Sequence, residues 1–179
     1  MAALSIILFI QMMSSQTTIA VGATLPHHVF KIKKDDDNGP AEFDSEALYG
    51  ASAGTVVIFG LPGAFTPTCS AKHLPGYVED HAKLTEKGVS HVYCLSVNDA
   101  FVMRAWEKAT ASEGKVVLLP DPDASFTAKL GLTTDIPALG GIRSQRFALV
   151  AKNGVVTHVA VEEAGKFEVS SSESIINFV

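Results

Sequence analysis

The chain has 179 residues, about the size of one domain, and its 47% of hydrophobic residues is enough to build a full core. Its net charge of −5 argues against a nucleic acid as a partner, because binding to phosphates requires a basic patch. Two cysteines in a chain of this length do not make a disulfide framework, which favours a reducing compartment and thiols that are functional or buried.

The N-terminal segment is apolar from Ala2 to Ile10, which is too short to span a bilayer and lacks the basic residues of a signal peptide or a mitochondrial presequence. Met12 or Met13 would serve as an internal start that removes this segment. We therefore treat residues 1–16 as an extension of unknown fate and residues 17–179 as a single domain. The expected location is the cytoplasm; a targeting role for residues 1–16 would instead direct the chain to the mitochondrion or another organelle.

The first half of the domain contains a buried strand followed by a helix. Residues 35–46 are polar and acidic, which predicts a surface turn. The β-branched, apolar run from Thr55 to Phe59 is typical of a central strand that is buried on both faces. Apolar residues then recur at helical spacing from Leu74 to Leu84, and Gly88 is expected to end that helix.

The second half continues the alternation of strands and helices. The sequence predicts strands over residues 92–97 and 116–119, with Pro120 as the stop of the latter, and helices over 99–109 and 124–130. Asn98 or Asp99 is a suitable N-cap for the first of these helices.

Near the C-terminus, Asn153 and Gly154 separate two β runs, 146–151 and 155–161, which is the strongest short hairpin signal. Residues 171–178 are expected to form a final helix that begins at a serine cap. Strands that alternate with helices, followed by a hairpin, predict an α/β domain.

The segment Pro62-Gly63-Ala64-Phe65-Thr66-Pro67-Thr68-Cys69-Ser70 lies between the first predicted strand and its helix. Thr66 followed by Pro67 predicts a helix start, because threonine caps well and proline is favoured at the first helical position. Cys69 then falls in the first turn, where free backbone N–H groups and the helix dipole favour a negative group. This position predicts a thiolate at neutral pH and hence a nucleophile; the alternative is a buried structural cysteine.

The same segment resembles the peroxiredoxins. Its Pro62, Thr66 and Cys69 match the family's Pro-x-x-x-Thr-x-x-Cys spacing, and the surrounding residues are similar to the type II, or peroxiredoxin-5, branch. The similarity continues through residues 74–77, 94–102 and 146–147 and covers about residues 18 to 179. It implies a thioredoxin-like fold with a central mixed β-sheet flanked by helices, and a thiol peroxidase that acts on hydrogen peroxide and small alkyl hydroperoxides in antioxidant defence and cell redox homeostasis. It also implies a non-covalent homodimer; we expect no cofactor, no metal and no stable membrane association.

The reaction needs a nucleophile, donors for the peroxide oxygens and a fixed positive charge. Cys69 is the candidate peroxidatic nucleophile. Thr66 is placed to direct its hydroxyl at the sulfur or the peroxide, or else only to cap the helix. Pro62 is expected to shield the pocket or simply to form the turn. Backbone N–H groups around Thr68 and Cys69 are candidates for holding the peroxide oxygens, as helix N-termini hold anions, and Gly63 is a further candidate for binding the substrate.

The positive charge should come from an arginine, because a guanidinium does not lose its charge and offers two donors. In the family pattern the essential arginine directly precedes a Phe-x-x-Val strand, which matches Arg146. Arg143 is expected to lie at the surface or to assist from a loop, and Arg104 to be solvated. His73, four residues after Cys69, is expected to be a structural histidine, with a role as an assisting base left open.

Many type II peroxiredoxins carry a second, resolving cysteine near the C-terminus. Residues 167–171 contain none here, and Val169 falls about where it would be. Cys94 lies within an apolar strand, where cysteines are normally inert. We therefore expect a one-cysteine cycle, in which glutathione with glutaredoxin, or thioredoxin, reduces the sulfenic acid.

Two other classes of function remain as alternatives. A thioredoxin-like disulfide oxidoreductase normally needs Cys-x-x-Cys, but Thr66 occupies the position of the first cysteine. A non-enzymatic redox sensor or chaperone would oxidise slowly at Cys69 or would work without it.

Overall fold

The computed structural model describes residues 17–35 and 39–179. Its strands, in chain order, are β1 (Val29–Ile32), β2 (Ala41–Asp44), β3 (Thr55–Leu61), β4 (Val89–Ser96), β5 (Val117–Pro120), β6 (Thr133–Ile136), β7 (Gly141–Ser144), β8 (Phe147–Lys152) and β9 (Val155–Val161). The α-helices are α1 (Ser45–Tyr49), α2 (Leu74–Glu79), α3 (His81–Glu86), α4 (Ala100–Thr110), α5 (Ser125–Lys129) and α6 (Ser172–Ile175). A π-helical turn, Cys69–His73, precedes α2, and 3-10 turns occur at Pro137–Leu139 and Ile176–Phe178.

The central sheet has the order β5-β4-β3-β8-β9. Strands β3, β4 and β5 run parallel, whereas β8 and β9 are antiparallel to their neighbours. This mixed sheet, with helices on both faces, confirms the predicted α/β, thioredoxin-like architecture. The extent of the domain, 17–179, stays a prediction.

Strand β3 is central because both of its faces are apolar. Val57 and Phe59 point into one core, which the helices after β3, α4 and the C-terminal helix cover. Val56 and Ile58 point into the other, which is covered by α1, α5 and the segment before β1. Alternate residues of a strand face opposite sides, so only a continuous apolar run fits this position.

The predicted helix from Leu74 onward is divided into α2 and α3. The backbone leaves the helical region at Asp80, whose carboxylate accepts hydrogen bonds from Lys83 and Ser172. Gly88 follows α3 with a φ of 92°, a conformation that glycine adopts without strain. The predicted end of the helical segment at Gly88 is therefore confirmed, but the prediction of one continuous helix was wrong.

Other predicted elements agree closely with the structure. Asp99 caps α4 by accepting hydrogen bonds from the N–H groups of Phe101 and Val102, and Asn153 and Gly154 form the turn between β8 and β9. The C-terminal helix starts at the Ser171 cap but changes to a 3-10 turn after four residues. Pro120 is the last residue of β5 rather than a stop before it, since it lies at the edge of the sheet.

Two small sheets were not predicted. Strand β2 pairs with β1, so the expected surface turn over residues 35–46 was wrong for its second half; Asp36, Asp37 and Asn38 lie outside the described residues. Strands β6 and β7 pair across the 3-10 turn. No helix in residues 17–35 or 39–179 is long and apolar enough to cross a membrane.

Candidate active site

The candidate thiol lies at the start of the helical segment that follows β3. Helical geometry begins at Pro67, so Cys69 is the third helical residue, as predicted. Its side chain is fully buried, and it opens the π-helical turn that runs to His73. The first turn of a helix leaves N–H groups without an intrahelical acceptor and carries the positive end of the helix dipole. Both features favour an anionic sulfur at this position.

The loop before Cys69 (residues 62–68, the site loop) is held by a hydrogen bond within it and by one to the loop after β4. The Thr66 hydroxyl donates to the carbonyl oxygen of Gly63 at 2.9 Å, so its proton is engaged while its oxygen remains able to accept. The Ala64 N–H donates to Asn98 Oδ1 at 2.9 Å. Phe65 has a φ of 59°, which is costly for a residue with a large side chain. These contacts fix the loop in one conformation next to the thiol.

Arg146 is the cation that reaches the sulfur. Its Nη2 lies 3.5 Å from Cys69 Sγ, and its guanidinium lies over the Phe167 ring at 5.7 Å from the centroid. The residue is half-buried just before β8, the strand next to β3 in the sheet. A guanidinium at this distance stabilises negative charge on the sulfur and on an oxygen that reacts with it.

His73 is buried and holds Arg146. Its Nδ1 accepts a hydrogen bond from Arg146 Nη1 at 3.0 Å, and its Nε2 lies 3.0 Å from the carbonyl oxygen of Ser170. Because a carbonyl can only accept, the proton is on Nε2 and the lone pair is on Nδ1. Burial, and then the charge of Arg146, lower the pKa of His73 to about 3. The side chain is therefore neutral, and the lone pair on its Nδ1 already accepts a hydrogen bond from Arg146. Both features agree with the expected structural histidine.

The C-terminal segment contributes residues that the sequence analysis did not identify. The carbonyl oxygen of Ser170 also accepts a hydrogen bond from the Tyr77 hydroxyl at 2.9 Å. Glu162 Oε1 accepts 2.8 Å hydrogen bonds from the N–H groups of Glu168, Val169 and Ser170 and from the Ser170 hydroxyl. A carboxylate directly after an apolar strand was the available signal, but the sequence does not show which backbone it would contact.

Arg143 is only partly exposed, so the expectation of a surface residue was wrong, whereas its alternative role of assisting the site stays a prediction. It is half-buried in β7, not on one strand with Arg146, and donates to the carbonyl oxygens of Val97 (2.9 Å) and Leu139. A Cβ at Gly63 would lie 3.7 Å from Arg143 Nη1, an ordinary van der Waals distance, so the Arg143 side chain lies beside the loop that contains Gly63. Arg143 therefore joins the loop after β4 to the 3-10 turn between β6 and β7.

Helix α4 carries one further predicted residue. Arg104 was expected to be solvated, but its side chain is only 11% exposed and forms ion pairs with Asp35, Glu107 and Glu113. On the same helix, Trp106 belongs to the core, and its Nε1 donates to Ser70 Oγ at 3.0 Å. The helix therefore packs directly on the turn that carries Cys69.

A cavity of about 490 Å³ lies beside Arg146 and the loop that precedes Cys69. Its lining includes Pro62, Thr66, Thr68 and Arg146 from the predicted site, so the structure brings these four together. Its lining also includes residues of the β6 region and of the segment after β9, among them Ile136, Glu162 and Lys166. Its mixture of apolar and polar groups is suitable for a small hydroperoxide with an organic substituent.

Cys94 occupies a different environment. It is buried in the middle of β4, opposite Phe59 and Leu118, and faces the same core as Cys69. Burial, and then the nearby Cys69, raise the pKa of the Cys94 thiol well above its ordinary value. Both cysteines are free thiols. A protonated, enclosed thiol is a poor nucleophile, which agrees with the predicted core role.

Known proteins with similar sequences and structures were identified. The Redoxin family profile matches residues 20–176. Peroxiredoxin-2C of Oryza sativa subsp. japonica is 43% identical over 166 residues, which cover 88% of this chain and 96% of that protein. The chloroplastic Peroxiredoxin-2E of Arabidopsis thaliana is 40% identical over a region that covers 89% of this chain and 68% of that protein. The crystal structure of reduced Prx3 from Vibrio vulnificus in complex with hydrogen peroxide superposes with a TM-score of 0.83 at 44% identity, covering 89% and 95%.

Proposed function

The chain belongs to the peroxiredoxin family and is a thiol peroxidase with an antioxidant function, and we propose that Cys69 is its peroxidatic nucleophile. One observation carries this assignment: the guanidinium of Arg146 lies 3.5 Å from the sulfur at the start of a helix. The helix N-terminus and the arginine together supply the positive environment that a reactive thiolate needs.

In the proposed reaction, the Cys69 thiolate attacks one oxygen of the hydroperoxide. The S–O bond forms as the O–O bond breaks, and the other oxygen leaves as hydroxide or alkoxide, which then takes up a proton to give water or an alcohol. The cysteine loses two electrons as it is oxidised to sulfenic acid, and the peroxide gains the same two electrons as its O–O bond is reduced. Arg146 stabilises the charge that moves from sulfur to oxygen.

The neighbouring residues hold the substrate in line with the sulfur. The backbone N–H groups around Thr68 and Gly63 donate to the peroxide oxygens, as helix N-termini do to anions. The free lone pairs of the Thr66 hydroxyl accept from the peroxide O–H, since its own proton is directed at Gly63. Pro62, which has no N–H, lines the cavity and limits the access of water.

We propose a one-cysteine catalytic cycle. The sulfenic acid condenses with an external thiol such as glutathione, which gives a mixed disulfide and water, and a second thiol from glutaredoxin or thioredoxin releases the reduced enzyme. The support is the absence of a cysteine in residues 167–171 and the enclosed position of Cys94.

The proposed oligomer is a non-covalent homodimer, and the proposed location is the cytoplasm. Three large apolar side chains near the site loop are more than half exposed, namely Phe65, Phe101 and Ile142, and are suitable for a contact between two copies. The curated relatives include a chloroplastic form, so a targeting role of residues 1–16 is the alternative for location.

The test is the intact mass of the reduced protein within seconds of adding one equivalent of hydrogen peroxide. A gain of one oxygen, absent in Cys69→Ser, supports a one-cysteine peroxidase with a waiting sulfenic acid. A loss of two hydrogens means a disulfide and rejects the proposed recycling. Peroxidase activity that survives Cys69→Ser rejects the nucleophile.

A further inference from the structure

The carboxylate of Glu162 organises a segment that is remote from it in the sequence. Its Oε1 receives four hydrogen bonds of 2.8 Å, three from consecutive backbone N–H groups, 168–170, and one from the Ser170 hydroxyl. The residue is only 9% exposed. Burial raises the pKa of this carboxyl, but the hydrogen bonds from Ser170, Glu168 and Val169 outweigh that effect and leave its pKa below the ordinary value. Glu162 is therefore an ionised, largely buried clamp.

The clamp sets the direction of one carbonyl group. The hydrogen bonds to Glu162 hold both the N–H and the side chain of Ser170, and the C=O of the same residue, in the following peptide group, points into the core. There it accepts from His73 Nε2 at 3.0 Å and from the Tyr77 hydroxyl at 2.9 Å. This carbonyl determines the tautomer of His73, and the tautomer determines that Nδ1 accepts from Arg146.

Glu162 is also attached to Arg146 through the backbone. Its N–H donates to the carbonyl oxygen of Arg146 at 2.9 Å. The main chain of Glu162 thus holds the main chain of Arg146, while its side chain holds the group that orients the guanidinium. The contacts form a closed circuit from Glu162 through Ser170, His73 and Arg146 back to Glu162.

We propose that Glu162 is a positioning residue for peroxide reduction, which acts through Ser170 and His73 to hold the Arg146 guanidinium against the Cys69 sulfur. This inference rests on the proposed role of Cys69 and adds a residue that lines the cavity but makes no contact with the sulfur and has no direct part in the proposed reaction. Arg146 has a long, flexible side chain, so its contact with sulfur depends on the groups that fix its rotamer.

The variant Glu162→Gln distinguishes a positioning role from a direct electrostatic effect, because the two predict opposite changes in the rate of the peroxide reaction. Removal of a negative charge near a thiolate would by itself favour the thiolate and speed the reaction. Weakening of the clamp would instead release the guanidinium from the sulfur. We expect the second-order rate constant for hydrogen peroxide at pH 7 to fall about tenfold, and the pH midpoint of Cys69 alkylation by iodoacetamide to rise.

The matched control is Glu173→Gln, which removes an exposed carboxylate in the nearby helix α6. It should leave both readouts at the wild-type value. An equal fall in both variants would overturn the proposal, since it would indicate a general effect of charge. A lower melting temperature in Glu162→Gln with an unchanged rate and alkylation midpoint would also overturn it and leave Glu162 a purely structural role.

Ser170→Ala provides a second route if Glu162→Gln does not fold, because it removes one donor to the carboxylate and leaves the backbone intact. We expect faster solvent exchange of the His73 Nε2 proton by nuclear magnetic resonance and a smaller fall in rate, about threefold. Wild-type exchange and rate in this variant would contradict the proposal. Retention of activity in Cys69→Ser would refute the proposed function, whereas a Cys69-dependent enzyme that is insensitive to Glu162 would refute only this inference.

Discussion

At the scale of the residue, two arginines three positions apart have different environments. Arg146 precedes β8 and reaches the Cys69 sulfur, while Arg143 lies in β7 and donates to backbone carbonyls of two loops. The first is placed to stabilise charge in the reaction. The second is placed to hold the loops around it.

Arg146→Gln should slow peroxide reduction more than Arg143→Gln. Loss of an electrostatic group that contacts the reacting atoms costs on the order of a hundredfold or more in rate. Arg143→Gln should cost less in rate and act mainly by lowering the melting temperature. Stopped-flow measurement of the hydrogen peroxide reaction, together with thermal unfolding, distinguishes the two. The reverse order of rates would show that the cation had been assigned to the wrong residue.

His73 should make stability depend on pH. The unfolded chain protonates His73 near its ordinary pKa of 6.5, whereas the folded chain holds it neutral down to about pH 3. Protons therefore favour the unfolded chain below about pH 6.5, and stability falls as the pH drops. The contribution is about 1.4 kcal/mol for each pH unit below that value.

Urea unfolding at pH 7 and pH 5 measures this effect in the wild type and in His73→Gln. The variant should be less stable at pH 7 but should lose less stability on acidification, because it lacks this titrating group. Equal losses in the two proteins would show that His73 is not held neutral. His28 and His158, whose pKa values are also lowered by burial, contribute equally to both proteins and cancel in the comparison.

At the scale of the element, helix α4 connects the core to the active site. Its Trp106 donates to Ser70 Oγ, next to Cys69, and its N-terminus follows the loop in which Asn98 accepts from the Ala64 N–H. Asp99 caps this helix with two hydrogen bonds from its first turn. The start of α4 therefore helps to hold the loop that precedes the thiol in place.

Asp99→Ala should lower the free energy of unfolding by about 1 kcal/mol, because the two N–H groups lose their acceptor. Asp99→Asn is the matched control, since asparagine caps helices about as well as aspartate. Chemical denaturation measures both. If the alanine and asparagine variants have the same stability, the cap does not contribute as proposed.

At the scale of the whole molecule, the sheet has two apolar faces and both are covered within the described residues. One face packs against the helices that carry Cys69, and the other packs against α1, α5 and the segment before β1. Some apolar side chains stay exposed, and three of them, Phe65, Phe101 and Ile142, are more than half exposed near the loop before Cys69. We propose that the contact between two copies includes these three.

Phe65→Glu should shift the proposed dimer towards the monomer, because it places a charge in an apolar contact. Val21→Glu, at an exposed apolar residue in the turn before β1, should leave the oligomeric state unchanged. Sedimentation velocity over a range of concentrations measures the equilibrium. Equal behaviour of the two variants would place the contact between copies elsewhere.

Local sequence patterns alone determined the strands β3 and β4, the hairpin between β8 and β9, the α4 cap and the position of Cys69 in its helix. Each of these depends on neighbours within a few residues, such as a β-branched run, an Asn-Gly turn or a Thr-Pro helix start. The small strands β1, β2, β6 and β7 carried no such signal, because short edge strands depend on the partner that they find in the fold.

The tertiary structure decided which side chains surround the thiol. Contacts of Cys69 with Arg146, of His73 with Ser170, and of Glu162 with the backbone of 168–170 join segments far apart in the chain. Arg143 and Arg104 were placed wrongly from the sequence because burial of an arginine depends on distant carbonyl and carboxylate groups. The sequence by itself therefore determined the position of Cys69 in the first turn of a helix, which makes it the proposed nucleophile. Only the fold determined the network that orients the arginine, since hydrogen bonds between distant segments leave no periodic pattern in a single chain.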